Sequence, residues 1–262
     1  MVAFGHTATV FDTDLQALAH RILEMGGLVE QQIVDAIGAL THRDQERGWQ
    51  VVAADATIDV TQRAIEESAV EIIARRQLTT FDLRQVLGML RIANDLERIG
   101  DLAKNIGKRV VAIKEEHMPP RPMGGLRHMT TLILGQLRDV LDSFASRDAT
   151  KSVEVWSRDQ DVDSLYSSVF QELLTYMIDD PATAIFGVHL VFCAKNIERM
   201  GDRATNIAEA VHYMVKGDAL WQNRPKADLT PAVALVMAPI LSVSSRMRQI
   251  ADPKASAFAE AG

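Results

Sequence analysis

Two segments of the chain, NDLERIGDLAKNI (residues 94–106) and KNIERMGDRATNI (195–207), are near copies lying 101 residues apart, with seven of thirteen aligned positions identical. A chain that carries the same segment twice must fold into something with two equivalent parts. The duplication reaches further upstream. At an offset of 104, Leu28, Val29, Ile33, Ala36, Ile37, Leu40, Arg43 and Asp44 fall on Leu132, Ile133, Leu137, Val140, Leu141, Phe144, Arg147 and Asp148. The offset then drops from 104 to 101, so three residues have been gained or lost near the turn before the last helix of each unit.

Apolar residues recur every three to four positions, glycine and proline are sparse before residue 118, and aromatic residues make up only 5% of the chain, a pattern of helices rather than strands. The spacing predicts six long helices at about 12–42, 45–76, 80–116, 124–146, 149–179 and 181–216. Thr79 with Asp82 reads as a capping box, and Asp180-Pro181 supplies an N-cap followed by a proline at the first helical position. The run HMPPRPMGG (117–125) breaks the chain in its middle and marks the domain boundary. The fold class is therefore all-α: two tandem, sequence-related three-helix bundles over 1–117 and 118–217, then a C-terminal extension over 218–262. In that extension Val233, Val236, Ile240, Val243, Met247 and Ile250 recur at helical spacing, but Pro239 interrupts them, so a loosely attached, kinked amphipathic segment is expected.

The key to function is a second acidic pattern. Glu97/Asp101 and Glu198/Asp202, inside the duplicated segment, are acidic pairs four apart, and so are Asp55/Asp59 and Asp159/Asp163 at the 104 offset. On a helix, residues four apart share one face, about 6 Å apart along the axis. A lone pair of this kind is ordinarily a solvated surface. These pairs instead lie on apolar stripes: Asp159 and Asp163 share theirs with Val155, Tyr166, Phe170, Leu173 and Met177. Opposed positions of an antiparallel helix pair have a constant index sum. Asp59 with Glu97 and Asp55 with Asp101 share one sum, while Asp163 with Glu198 and Asp159 with Asp202 share another. Each unit thus brings four carboxylates to one level between two helices. Removing such charge from water costs several kcal/mol per ion, and a cation is the natural compensation. All-oxygen ligation suits hard divalent or iron-type ions, with Fe, Mn, Mg and Zn all open.

Other features carry less. Arg98 and Arg199 lie about 100° round the helix from the acidic faces and are expected at the surface or on a neighbouring helix. Asn105 and Asn206, one turn beyond each motif aspartate, are placed to lend a carbonyl oxygen or an outer hydrogen bond. Glu209 and His212 have the spacing used by di-iron bundles, but the motif occurs once and its repeat counterparts are Lys108 and Val111, so a surface pair is expected. His189 and Cys193 read as interior fillers. No nucleophile-elbow, Walker-type or CxxC motif appears, and the chain reads as a non-enzyme.

Net charge of −7 without a dense basic stripe argues against nucleic acid. A single cysteine, no secretory leader and no apolar run of membrane-spanning length point to the cytoplasm.

With these motifs in place, the sequence resembles the PhoU family of phosphate-signalling regulators over about residues 6–217, most specifically in ERIGD…NI and ERMGD…NIAE. The resemblance implies two three-helix bundles side by side, a homodimer, and a multinuclear metal cluster on each bundle. Residue by residue it assigns Asp55, Asp59, Glu97 and Asp101 to the first cluster and Asp159, Asp163, Glu198 and Asp202 to the second, with all eight positions acidic here. It further implies a negative regulator of phosphate uptake and of the starvation response. Its implied partners are the ATPase subunit of a phosphate ABC transporter and a sensor histidine kinase, which it would link. The alternatives are a carboxylate metalloenzyme of the di-iron type and a purely structural helical scaffold.

Overall fold

The computed structural model describes residues 4–75, 77–113 and 120–220. It is all-α, with no strand among the described residues: α1 (Phe4–His42), α2 (Gln45–Arg75), α3 (Thr80–Ala112), α4 (Pro120–Ser146), α5 (Ala149–Ser157), α6 (Asp159–Asp179), a 3-10 turn (Pro181–Thr183) and α7 (Ala184–Lys216). The α1–α3 helices pack together, α4–α7 do the same, and α3 and α7 meet along the seam. These elements belong to one compact unit; the amphipathic pattern expected around Pro239 lies outside the described residues.

Both motif helices, α3 and α7, bury a broad face, and they run antiparallel to each other. Gln85 Nε2 near the start of α3 donates to the Met214 carbonyl near the end of α7 (2.7 Å). At the other end the Arg109 guanidinium lies 4.2 Å above the Phe192 ring. Between them Arg203 Nη1 meets Asp95 Oδ1 at 3.1 Å. Burying the apolar faces of two such helices against each other and against their own repeat partners removes a continuous core from water, from Leu18 and Ile22 through Ile99 to Phe186 and Ile207.

The local signals act as expected at several ends. Thr79 and Asp82 form the reciprocal capping box of α3. Asp180 caps the turn that follows it, with Pro181 in the first position. The three-residue change of offset is also visible: residues 76–79 connect α2 to α3, whereas Asp180 alone separates α6 from the 3-10 turn that leads into α7.

The two copies of Arg-Asp take one backbone conformation. Arg43 and Arg147 both have φ of 54°, the left-handed position that ends a helix, and the following amides reach back, Asp44 N to Ala39 O and Asp148 N to Ser143 O, each 3.0 Å. Asp148 then caps α5 by accepting from Thr150 N and Lys151 N.

Four expectations are corrected. The helix predicted over 149–179 is broken at Arg158, whose carbonyl accepts a bond from the Gln136 side chain (3.2 Å) and whose guanidinium is drawn to Asp139 (2.8 Å). The helix predicted from 181 opens as a 3-10 turn and becomes α-helical at Ala184. The break predicted over 117–125 is narrower, because α4 already begins at Pro120. Amides in a first helical turn need no intrahelical partner, so Pro120 and Pro122 cost nothing there. Gly125 is accepted because Val169 occupies the space a Cβ would take, 2.6 Å away. Finally, α1 starts at Phe4 rather than near residue 12.

Candidate functional site

The antiparallel pairs α2–α3 and α6–α7 carry the acidic motifs on facing sides. In the first repeat Lys104, one turn beyond Asp101 on α3, crosses to α2. Its ammonium bonds both Asp55 Oδ2 and Asp101 Oδ1, the latter at 2.5 Å. Asp55 and Asp101 are thus opposed as their index sum requires, and one lysine joins them. Glu97 lies close enough to Asp101 and Asp59 to feel both charges; burial, then Asp101, pushes its carboxyl above the usual range. Burial works against a charged Lys104, but its bonds to Asp101 and Asp55 outweigh that and hold the ammonium above the ordinary lysine range. Arg98 corrects an expectation: it turns back over the acidic pair, with Nε 3.5 Å from Glu97 and Nη1 3.7 Å from Asp101, although its own side chain is mostly exposed.

The second repeat has the same plan with different chemistry. Thr205 occupies the position of Lys104, and its buried hydroxyl donates to Asp159 Oδ1 (3.0 Å). Glu198 is buried, accepts from Lys195 Nζ at 2.7 Å through Oε1, and feels Asp202 and Asp163. Burial raises its carboxyl above the usual range against the opposing pull of Lys195. Its other oxygen, Oε2, is buried without a hydrogen-bond partner.

Sequence reasoning missed two glutamines. Gln32 on α1 and its 104-offset copy Gln136 on α4 are both buried behind the acidic clusters. Gln32 Nε2 donates to Val51 O (3.2 Å) and reaches Asp55 Oδ1 at 3.5 Å; Gln136 Nε2 donates to the carbonyl just before Asp159. Each leaves its Oε1 buried without a partner. Gly100, of the first ERxGD motif, makes room for Gln32, since a Cβ there would lie 3.1 Å from its Oε1; at Gly201, in the second, a Cβ would instead press on Ile133, 2.8 Å away, with Gln136 Oε1 in ordinary contact at 3.7 Å. A search for charge passes over a neutral amide inside an apolar stripe; the signal available was the repetition of Gln at the duplication offset.

Among the described residues, no three His, Cys, Asp or Glu side chains are gathered so as to hold a metal ion. The donor set nevertheless has the right chemistry for a hard cation, being all oxygen, and the second cluster has two buried oxygens, Glu198 Oε2 and Gln136 Oε1, that a cation would satisfy. In the first cluster an ammonium already lies between two of the four carboxylates.

The remaining candidates lie elsewhere. Glu209 accepts from the Trp156 indole (3.0 Å) and His212 lies 3.7 Å from Asp218, so that pair serves packing at the end of α7 and not an acidic cluster. Asn105 is exposed, whereas Asn206 bonds Asp95 across the seam. Asp95 is buried there, which raises its carboxyl, while Arg203 and Asn206 oppose the rise. Cys193 is fully buried, its thiol pushed up to about 12 by burial, as an interior filler should be. A cleft of about 830 Å³ beside Asp95 offers little to an anion, because Arg203 is engaged by Asp95 and Arg91 lies over Tyr213.

Comparison with known proteins places this arrangement. The PhoU domain family model matches twice, over residues 22–110 and 126–211, one match on each repeat. A phosphate-specific transport system accessory protein PhoU homolog from Rhizobium meliloti is 45% identical over 235 residues, covering 90% of this chain and 99% of the relative. A homolog of the same description from Caulobacter vibrioides is 42% identical, covering 86% of this chain and 97% of the relative. The crystal structure of PhoU from Pseudomonas aeruginosa superposes with a TM-score of 0.76 at 37% identity, over 79% of this chain and all of that one. The phosphate transport system regulatory protein PhoU from Streptococcus pneumoniae gives 0.73 at 29% identity, over 81% and 100%.

Proposed function

Since the chain belongs to the PhoU family, we propose that it is the accessory regulator of a phosphate transport system, acting as a metal-binding adaptor. In this reading it represses phosphate uptake and the starvation response when phosphate is plentiful. It links the ATPase subunit of a phosphate ABC transporter to a sensor histidine kinase in the cytoplasm, as a homodimer, and it performs no catalysis of its own. The observation that carries the reading is the pair of carboxylate clusters built at equivalent places on a stiff helical frame, in a chain whose relatives are named for phosphate transport. Among the described residues no helix is long and apolar enough to cross a membrane.

Metal ions would be held by Asp55, Asp59, Glu97 and Asp101 in one repeat and by Asp159, Asp163, Glu198 and Asp202 in the other. What a bound divalent or iron-type ion supplies is charge neutralisation and a Lewis-acidic face on which an anionic group of a partner can dock. The protein's own part is to hold the carboxylates at one level on two helices. A carboxylate enzyme of the di-iron type would need His ligands at the cluster, and the one Glu-x-x-His motif lies away from it, on Trp156 and Asp218.

The test is genetic and biochemical. Deleting the gene should switch on a phosphate-starvation reporter in phosphate-rich medium, and the wild-type chain should silence it again. Asp101→Asn with Asp202→Asn should restore silencing poorly and should co-purify less of the transporter ATPase. A deletion that leaves both reporter and phosphate uptake unchanged overturns the regulatory reading.

A further inference from the structure

The outward face of α2 carries a stripe at alternating three- and four-residue spacing: Glu46, Trp49, Ala53, Ala56, Val60 and Arg63, all exposed. Trp49 is 60% exposed and Val60 62%. Single exposed apolar residues are ordinary on a protein surface. These are aligned, and spacing of this kind forms the seam by which one helix packs on another. The stripe is also its own complement. Laid against a second copy of itself in the antiparallel sense, Glu46 meets Arg63, Trp49 meets Val60 and Ala53 meets Ala56, because the three pairs share one index sum. Each meeting then occurs twice about a twofold axis, which is the geometry of an isologous dimer.

The three-helix unit does not itself require this face. At the 104 offset its positions carry Thr150, Val153, Ser157, Gln160, Ser164 and Ser167, of which Val153 alone is apolar and none is charged. The helix there is also broken at Arg158, whereas α2 runs unbroken from Gln45 to Arg75. We propose that the outer face of α2 is the surface on which a second copy of this chain docks, α2 against α2 in antiparallel register, with Glu46 of each protomer facing the partner subunit's Arg63. The proposal rests on the homodimer reading above and adds the face and the register of the contact. Ala53 and Ala56 let the two backbones approach closely, and Trp49 covers the partner subunit's Val60. The charges at the two ends set the direction, since a parallel pairing in register would place Glu46 on Glu46 and Arg63 on Arg63. From Glu46 to Arg63 the seam is about 25 Å long at the rise of an α-helix, a small interface that suits a reversible dimer.

The experiment is sedimentation equilibrium of the full-length protein over about 1–100 µM, with the folding of each variant checked by circular dichroism. Wild type should show a monomer–dimer equilibrium. Glu46→Arg alone and Arg63→Glu alone each place two like-charge pairs in the seam, and each should weaken self-association by about 10-fold or more. An equimolar mixture of these two variants should form a heterodimer of wild-type strength, because opposite charges then meet at both ends; the double variant should recover in the same way. Trp49→Lys should abolish association, whereas Val153→Lys, at the equivalent position of α5, should leave it unchanged. If either charge reversal is unfolded, the two lysine variants decide the matter. A wild-type dimer that neither charge reversal nor Trp49→Lys weakens, or a mixture that associates no better than its components, would overturn this face as the contact while leaving the homodimer reading in place. A wild type that stays monomeric over the whole range would overturn both.

Discussion

In the first repeat Gly48 on α2 faces Gly107 on α3; at the equivalent positions of the second repeat stand Ser152 on α5 and Ala208 on α7, both fully buried. A Cβ on Gly107 would fall 2.9 Å from the Gly48 carbonyl oxygen, closer than atoms can approach. The first repeat therefore draws its helices together backbone to backbone near the acidic cluster, and a lysine then fits across it. The second repeat carries side chains at both positions, breaks α5 from α6, and sets the Thr205 hydroxyl on Asp159 and the Lys195 ammonium on Glu198. Duplicated sequence repeats the carboxylates, while the groups that compensate them have diverged.

The largest test of that contrast is electrostatic. Lys104→Met leaves Asp55, only 4% exposed, without its ammonium, and should cost roughly 2–4 kcal/mol in metal-free protein by urea denaturation, a loss that added Mn²⁺ should largely reverse. Thr205→Val removes one neutral donor from Asp159 and should cost about 1–2 kcal/mol. Equal losses in the two variants would mean that the clusters are electrostatically alike after all.

Packing gives the next test. Gly107→Ala forces the two backbones apart and should destabilise by about 1–3 kcal/mol, whereas Ala208→Gly should cost about 1–2 kcal/mol through helix propensity and the loss of a buried methyl, with no backbone displacement. Thermal midpoints that move together for both would show the close approach to be unimportant.

A smaller effect should be the same in both repeats. Arg43→Gly and Arg147→Gly relieve a side chain held at φ of 54° and should each stabilise by about 0.5–1 kcal/mol. A gain at only one of them would locate a side-chain contribution particular to that repeat. Last, Cys193 should resist alkylation in the folded protein, because it is buried and its thiol lies near 12; slow labelling would then measure how often α7 opens. Rapid labelling at neutral pH would show the seam between α3 and α7 to be loosely closed.

Much of this molecule was legible before folding. Apolar spacing marked the helices, Thr79 and Asp180 marked their starts, and the shift of offset marked a shorter second turn, because each is a local property carried by adjacent residues. The opposition of Asp55 to Asp101 also followed from sequence, since an antiparallel pair with a known turn has one register. The break at Arg158 did not, because the groups that bind Arg158 there, the Gln136 amide on its carbonyl and Asp139 on its guanidinium, lie 22 and 19 residues away. Pro120–Gly125 looked like a breaker, but a first turn tolerates proline and Val169 fills the space over Gly125.

What the sequence by itself determined was the all-α class, the twofold repetition, the pairing of helices within each repeat and the opposition of Asp55 to Asp101, all consequences of period and duplication. Only the tertiary structure decided what faces those carboxylates. Lys104 and Thr205 are one turn beyond their motif aspartates and look like surface positions on a helical wheel. Their direction across to Asp55 and Asp159 depends on how close the neighbouring helix stands, and that distance is set by side chains far along the chain. The same holds for Gln32 and Gln136, whose amide oxygens are stranded only because a third helix packs against the pair that carries the charge.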